Sequence, residues 1–280
     1  MTGKFRTDLA AEMRENAGSG ELLGVRAGEW QTRGFDVTRV DILDERGVEK
    51  LCKPVGSYIT ISARALAERR PESFADGAQT LAELLRALLP KPGELTLVAG
   101  LGNAAMTPDA VGPLAVEYTL ATRHLKRTMP QEFEGLSPVC AVRPGVLGTT
   151  GIESAEMIKS VCERVAAVQV VAIDALAAAS LDRLCATIQL TDAGIVPGSG
   201  VGNDRAALSR ETLGVPVIAI GVPTVVDAAA FSDEEAAKGM FVTPRDIDAS
   251  VRSLAKLIGY AVNLALHDGL TIADIDLLKS

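Results

Sequence analysis

The chain of 280 residues carries 36 Asp and Glu against 28 Lys and Arg, which gives a formal net charge of −8 at pH 7. Its 48% hydrophobic and 23% charged residues are ordinary for a globular protein of one large or two small domains and exclude disorder throughout. The acidic balance argues against direct binding of nucleic acid. Because His124 and His267 are the only histidines, a His-rich metal site is excluded, and we expect carboxylates to carry any acid–base chemistry without a cofactor.

No run reaches the roughly 18 uninterrupted apolar residues of a membrane span, and the N-terminus lacks the apolar segment of a signal peptide. These absences predict a cytoplasmic protein with no membrane partner. The four cysteines form no CxxC pair, so we expect free thiols in the core in preference to a zinc site or a disulfide framework. They are Cys52, Cys140, Cys162 and Cys185.

The first 33 residues are rich in glycine and charge, which predicts a mobile leader or a loosely docked arm. From Gly34 to Ser62, apolar and polar residues alternate in two runs around residues 44–47, a pattern typical of antiparallel strands at a sheet edge.

Further along, apolar runs alternate with amphipathic segments. The pattern predicts buried strands at 94–99, 168–173, 186–190 and 215–220, and helices at 79–89, 109–125, 154–165 and about 245–267. For the last helix, Thr243 and Pro244 are expected at the N-cap and N1 positions. The fold class indicated is α/β, with a mostly parallel central sheet covered on both faces, antiparallel edge strands near the N-terminus, and one domain.

The strand near residues 94–99 leads into a glycine-containing turn with Gly102 and Asn103, where another group can approach the backbone closely. The chain then restarts as a helix, with Thr107 expected as its N-cap and Pro108 at N1. Asp109 falls in the first helical turn. Taken alone, this acid can equally serve to complement the helix dipole.

A second acid, Asp174, ends the strand that begins at Val168. The carboxyl ends of parallel strands share one rim of the sheet, where open α/β folds bind their ligands, so we expect Asp109 and Asp174 to meet. Of two close carboxylates, one is driven to hold a proton while the other stays ionised. Such a pair can deprotonate water and protonate a leaving amine, which predicts peptide hydrolysis without a covalent intermediate.

A third strand ends in Asp192 and leads into a loop with Gly198, Ser199, Gly200 and Asn203. No Gly-Lys-Ser/Thr follows the glycines, so the loop is not a P-loop. We expect it to shape the pocket wall and to offer backbone N–H groups to a substrate carbonyl or carboxylate.

Several longer motifs run in order through nearly the whole chain. They are RTDLA at 6–10, KPVGSYITI at 53–61, GLGN at 100–103, TPDAVGP at 107–113, TGIES at 150–154, IDALA at 173–177, TDAGIVPGSGVGN at 191–203, GVPVIAIGVPTVVDA at 214–228 and FVTPRDID at 241–248. Together they resemble the germination protease family, endopeptidases that degrade small acid-soluble spore proteins. The resemblance implies Asp109 and Asp174 as catalytic residues. It also implies a three-layer α/β/α sandwich similar to hydrogenase maturation proteases, whose nickel-binding His has no counterpart near the third strand end here, so no metal is expected.

The resemblance further implies a zymogen that cuts itself between Asp8 and Leu9, so that residues 1–8 are a propeptide and 9–280 a single peptidase domain. Family substrates carry an acidic residue, an apolar residue and then Ala at the cut, and Asp8-Leu9-Ala10 repeats that order. The family also implies a homo-oligomer in the cytoplasm of the spore. Whether it is the usual tetramer stays open, because the segment from Ala228 to Met240 is shorter than in most family members.

Two other functions stay open on the sequence alone. One is a metal-dependent peptidase that uses Asp109, Asp174 and Asp192, which sensitivity to chelators would reveal. The other is a non-catalytic module that binds a phosphorylated ligand at the loop 198–202, which thermal stabilisation by nucleotides would reveal.

Overall fold

The computed structural model describes residues 7–18, 20–63, 73–202, 205–232, 237 and 239–279. The strands are β1 Val25–Thr32, β2 Phe35–Ile42, β3 Gly56–Ser62, β4 Thr96–Leu101, β5 Val139–Gly145, β6 Gln169–Ala178, β7 Thr187–Thr191, β8 Val217–Asp227 and β9 Phe241–Val242. The helices are α1 Ala10–Asn16, α2 Glu45–Leu51, α3 Ser73–Leu88, α4 Val111–Glu117, α5 Arg123–Thr128, α6 Leu147–Thr150, α7 Ser154–Val165, α8 Arg210–Leu213, α9 Ile247–Leu266 and α10 Ile272–Lys279.

The strands form one nine-stranded sheet in the order β1-β2-β3-β7-β8-β6-β4-β5, with β9 beside β8. Strands β8, β6, β4 and β5 are parallel, whereas β1, β2, β3 and β7 pair antiparallel. The predicted α/β class is therefore confirmed, with the parallel strands in one half of the sheet and antiparallel strands from the N-terminal region at the other edge. One strand differs: β7 runs antiparallel to β8. The connection between Ala178 and Thr187 is too short for the crossover that a parallel return requires.

Helices cover both faces of the sheet. One face packs against α3, α4 and α9 in the largest apolar cluster, and the other packs against α7 and α8 over the parallel strands and against α1 and α2 over the antiparallel strands. Successive residues of a strand point to opposite faces. Ile173 therefore lies in the cluster beneath α9, and the next residue, Asp174, faces the opposite layer.

The helix predictions hold in part. Helix α7 begins and ends at the predicted residues, but the helix expected at 109–125 is broken into a 3₁₀ turn, α4 and α5. Asn263 of α9 explains the break, since its side chain accepts from the N–H of Leu120 (2.8 Å) and donates to the carbonyl of Tyr118 (2.8 Å). The prediction of Thr243 and Pro244 at the start of the last helix was wrong. Helix α9 has Asp246 at its N-cap, because β9 keeps the preceding chain extended beside β8.

The N-terminal region is docked, so the prediction of a mobile leader was wrong for its described part. Strand β1 pairs with β2 along its whole length, and Leu9 and Ala10 have no solvent exposure. A sequence window of charges and glycines does not reveal this, because the apolar side chains that anchor the segment are few.

The cysteines are free thiols, as expected, but only two of them lie in the core. Cys162 and Cys185 are buried, Cys140 is half-buried and Cys52 is exposed at the end of α2. Among the described residues, no helix combines the length and the apolar character needed to cross a bilayer.

Candidate active site

Asp109 and Asp174 line the same cleft, which has a volume of about 620 Å³. Asp174 lies within β6 and is 4% exposed, and its Oδ1 accepts a hydrogen bond from the N–H of Ala175 (2.9 Å). Asp109 ends the 3₁₀ turn that follows β4, and its Oδ2 accepts from the N–H of Asn103 (2.8 Å). The turn after β4 thus brings one carboxylate to the strand that carries the other.

Two glycines make this close approach possible. Gly102 has φ +107°, and a Cβ there would lie 2.1 Å from the carbonyl oxygen of Asp109. At Gly112 in α4, a Cβ would lie 2.3 Å from the carbonyl oxygens of both Leu101 and Ile173. Only glycine lets the turn fold back on itself and lets α4 lie directly on β4 and β6.

Burial shifts the pKa values of both acids, and the charge of Asp109 adds to the shift at Asp174. Burial raises the pKa of Asp174 well above its ordinary value, and the nearby charge of Asp109 raises it further, against the opposing N–H of Ala175. Burial also raises the pKa of Asp109, while the N–H of Asn103 lowers it. Asp174 is consequently the better site for a shared proton, and Asp109 the better site for the negative charge.

Asp8 occupies the wall of the same cleft. Its N–H donates to the carbonyl of Ala177, and its Oδ2 accepts from the N–H of the same residue, both at 2.9 Å. Its Oδ1 accepts from the Ser199 hydroxyl (2.7 Å) and lies 4.0 Å from Nζ of Lys53. The carboxylate of Asp8 therefore accepts two hydrogen bonds and lies beside one ammonium, and the three groups come from separate parts of the chain.

The peptide bond that follows Asp8 is held by Gln189 of β7. Nε2 of Gln189 donates to the carbonyl oxygen of Asp8 (3.1 Å), and its Oε1 accepts from the N–H of Ala10 (2.8 Å). Leu9 packs in a small apolar cluster with Leu176, Ala178 and Val226. The backbone from Asp8 to Ala10 is thus bracketed by one amide side chain and anchored by one apolar side chain.

Glu12 fixes the segment one turn further along. Its carboxylate accepts from the N–H groups of Ala179 (2.8 Å) and Ser180 (3.0 Å) and from the hydroxyl of Thr7. Glu12 is 3% exposed, so these bonds are shielded from water. The stretch that holds the predicted processing site is therefore bound to β6 at several points.

Most of the predicted supporting residues lie near this site. Gly102, Asn103, Gly198 and Gly200 line the cleft that contains the two carboxylates. Ser199 lines the adjoining cleft of about 460 Å³, on the other side of Asp8. Asn203 lies outside the described residues.

Asp192 lies elsewhere. Because β7 is antiparallel to β8, Thr191 pairs with Ala219 near the start of β8. Asp192 therefore lies toward the end of the sheet where β8 begins, away from the end that carries Asp109 and Asp174. There its Oδ1 accepts from the N–H of Ser57 (2.7 Å). The expectation that Asp192 supports the substrate site rested on a parallel β7, which the structure does not have. Within the described ranges, no three His, Cys, Asp or Glu side chains lie close enough together to hold a metal ion. Asp192 therefore does not join Asp109 and Asp174, as the metal-dependent alternative requires.

Sequence reasoning missed Lys53 and Gln189. Gln189 lies between Ile188 and Leu190 in a fully buried strand, and an amide in such a run signals a specific hydrogen-bonding role. Lys53 opens the motif at 53–61, yet nothing in the pattern there indicates that its side chain is only 18% exposed. Burial lowers the pKa of Lys53, and the charge of Asp8 opposes that shift.

Comparison with known proteins decides the family. A family model described as germination protease matches residues 6–237. The chain belongs to the germination protease family. The germination protease of Caldanaerobacter subterraneus subsp. tengcongensis is 42% identical over 316 aligned positions, which cover 98% of this chain and 98% of the relative. That of Clostridium tetani is 39% identical over 97% of this chain and 98% of its own length.

A third relative, the germination protease of Bacillus cytotoxicus, is 44% identical over 82% of this chain and 65% of its own length. The alignments with the first two relatives are longer than this chain, so those germination proteases carry segments that it lacks. Membership of the family makes the chain a peptidase of spore germination.

Proposed function

We propose that the chain is a self-processing endopeptidase that degrades small acid-soluble spore proteins during germination, with Asp109 and Asp174 as a catalytic pair. It cuts after an acidic residue and before an apolar residue followed by Ala. One observation carries the proposal: Asp8, the residue before the proposed cut, lines the same cleft as both carboxylates and is hydrogen-bonded there to Ala177.

In the proposed reaction, Asp109 enters ionised and Asp174 enters protonated. Asp109 takes a proton from water as the water oxygen bonds to the carbonyl carbon, and a tetrahedral intermediate forms. Asp174 then gives its proton to the leaving nitrogen, and the carbon–nitrogen bond breaks. The proton on Asp109 then passes to Asp174, which restores the starting state. The raised pKa of Asp174 and the N–H of Asn103 on Asp109 support this division of roles.

The carbonyl oxygen gains negative charge in that intermediate and needs a donor. During self-processing this oxygen belongs to Asp8, and Nε2 of Gln189 already donates to it. We propose that Gln189 holds this carbonyl in place and that the bond cut in self-processing is the one between Asp8 and Leu9. Until the cut is made, Asp8 occupies part of the cleft that a substrate has to enter. The enzyme is accordingly made as a zymogen, with residues 1–8 as its propeptide.

The rest of the proposal is supported by the family alone. We propose that the enzyme works in the cytoplasm of the spore, as a homo-oligomer, without a cofactor. The long alignments with the relatives are consistent with a shorter segment before residue 241, which leaves the number of subunits to be measured.

The test measures how fast the Asp109→Asn and Asp174→Asn variants cleave a peptide that contains an acidic residue, an apolar residue and Ala in that order. Each variant loses an acid–base group, so cleavage should fall by about 10²–10⁴-fold while the thermal unfolding temperature is kept. Asp36→Asn, an exposed acid on β2, is the matched control and should cleave normally. Wild-type rates in both cleft variants would contradict the mechanism. Loss of activity after treatment with a chelator, restored by a divalent metal, would favour the metal-dependent alternative.

A further inference from the structure

The side chain of Asp8 lies in a pocket built for a carboxylate. Its two oxygens receive the Ser199 hydroxyl and the Ala177 N–H, and the Lys53 ammonium lies beside them. We infer that Lys53, Ser199 and the Ala177 N–H form the specificity pocket for the acidic residue that precedes the cut, occupied first by Asp8 and later by the substrate. This inference rests on the proposed function.

The shape of the pocket depends on Gly200. A Cβ at this position would lie 2.2 Å from Oδ2 of Asp8 and would close the space in which the carboxylate sits. The Ala177 N–H can only donate, so it selects an acceptor at that point. An amide side chain can offer one oxygen acceptor to it, but not a second acceptor together with a negative charge. The pocket therefore distinguishes a carboxylate from its amide.

Lys53 supplies the charge. Its side chain is 18% exposed and that of Asp8 is 11% exposed, so water screens the pair only weakly. When the propeptide leaves, a largely buried ammonium loses its carboxylate partner among the described residues. Burial of an unpaired charge is unfavourable, so the emptied pocket favours the entry of another acid.

The carboxylate of Asp8 does not reach the ammonium of Lys53. The 4.0 Å between Nζ of Lys53 and Oδ1 of Asp8 exceeds the roughly 2.7–2.9 Å of a charge-assisted hydrogen bond. A Glu side chain, longer by one methylene, has the reach to close this gap. Glu is accordingly the better occupant, and Asp8 makes the propeptide a weaker ligand of its own pocket than a Glu-containing substrate is.

A first experiment needs no catalysis. Hydrogen exchange of residues 7–16 in the full chain is compared for Asp8→Asn, Lys53→Met and the double variant at neutral pH. Each single change removes the ion pair between Asp8 and Lys53 and should raise opening of the segment by about tenfold, and the double variant should add little more. Lys50→Met, an exposed lysine on α2, is the control. If the increases in opening from the two single changes multiply in the double variant, Asp8 and Lys53 act independently, and the proposed pocket is wrong.

A second experiment measures kcat/KM for three peptides that differ only in Glu, Asp or Gln before the cut. The processed wild-type protein should prefer Glu over Asp and both over Gln. Lys53→Met should reduce the Glu-to-Gln ratio by at least about tenfold, and Ser199→Ala should reduce it less. The second variant decides the question if the first does not fold.

Unchanged ratios in these variants would overturn the pocket. A wild-type protein that cleaves none of the peptides would contradict the proposed function instead. In that case the exchange measurement still decides whether the pocket holds an acid.

Discussion

Replacement of Gly112 by Ala tests whether the close packing of α4 on the sheet positions the catalytic pair. The added Cβ would lie 2.3 Å from two backbone carbonyl oxygens, those of Leu101 and Ile173. Carbon–oxygen contacts in proteins are about 3.3–3.6 Å, so the start of α4 has to move by about 1 Å. Overpacking of this kind costs about 1–3 kcal/mol of unfolding free energy. Asp109 directly precedes α4 and would move with it.

A displacement of about 1 Å at a catalytic group lowers the rate by about a hundredfold. We therefore expect Gly112→Ala to lose about 10²-fold in kcat on an acidic-apolar-Ala peptide and to unfold at lower urea concentration. Gly28→Ala on β1 is the control, because a Cβ there meets nothing within 4 Å, and both quantities should stay near the wild-type values. Wild-type stability and kcat in Gly112→Ala would refute this reasoning about how the site is positioned.

Three further predictions concern Gln189, His267 and the catalytic pair. Gln189→Leu removes both hydrogen bonds to the segment from Asp8 to Ala10. The rate of self-processing, measured by gel electrophoresis, should therefore fall by tenfold or more. Burial lowers the pKa of His267 to about 4, below its unfolded value of about 6.5, so its contribution to stability is complete above pH 6.5 and is lost as the pH falls toward 4. Urea unfolding should show about 2 kcal/mol more loss between pH 6.5 and 5 in the wild type than in His267→Leu, and equal losses would contradict this assignment. Peptide cleavage should follow a bell-shaped pH profile whose two apparent pKa values belong to the pair, and a flat profile from mildly acidic to neutral pH would count against it.

The placement of Asp109 and Asp174 on neighbouring parallel strands was predictable from the sequence. An apolar run that ends in an acid, as at Asp174, and a strand followed by glycines and a second acid, as at Asp109, predict two carboxylates on neighbouring strands. Their meeting required only that β4 and β6 be parallel and adjacent, which the helices between them favour. The strand end itself was misplaced, because β6 continues past Asp174 to Ala178. The sequence did not indicate which acid holds the proton, because that depends on how deeply each carboxyl is buried.

The remainder depends on contacts between distant parts of the chain. The direction of β7 follows from its partners β3 and β8, and it removes Asp192 from the site. Docking of Asp8 depends on Lys53, Ser199 and Gln189, which are separated from it by 45 to 191 positions. No local periodicity records contacts of that range. Such contacts can be identified only once the pairing of the strands is known.

The central claim is that Asp109 and Asp174 cut the chain between Asp8 and Leu9. Intact mass analysis and N-terminal sequencing after incubation at mildly acidic pH test it most directly. The account predicts a new N-terminus at Leu9 in the wild type and none in Asp109→Asn or Asp174→Asn. The same cut in either variant, or a stable cut at another bond in the wild type, would contradict it.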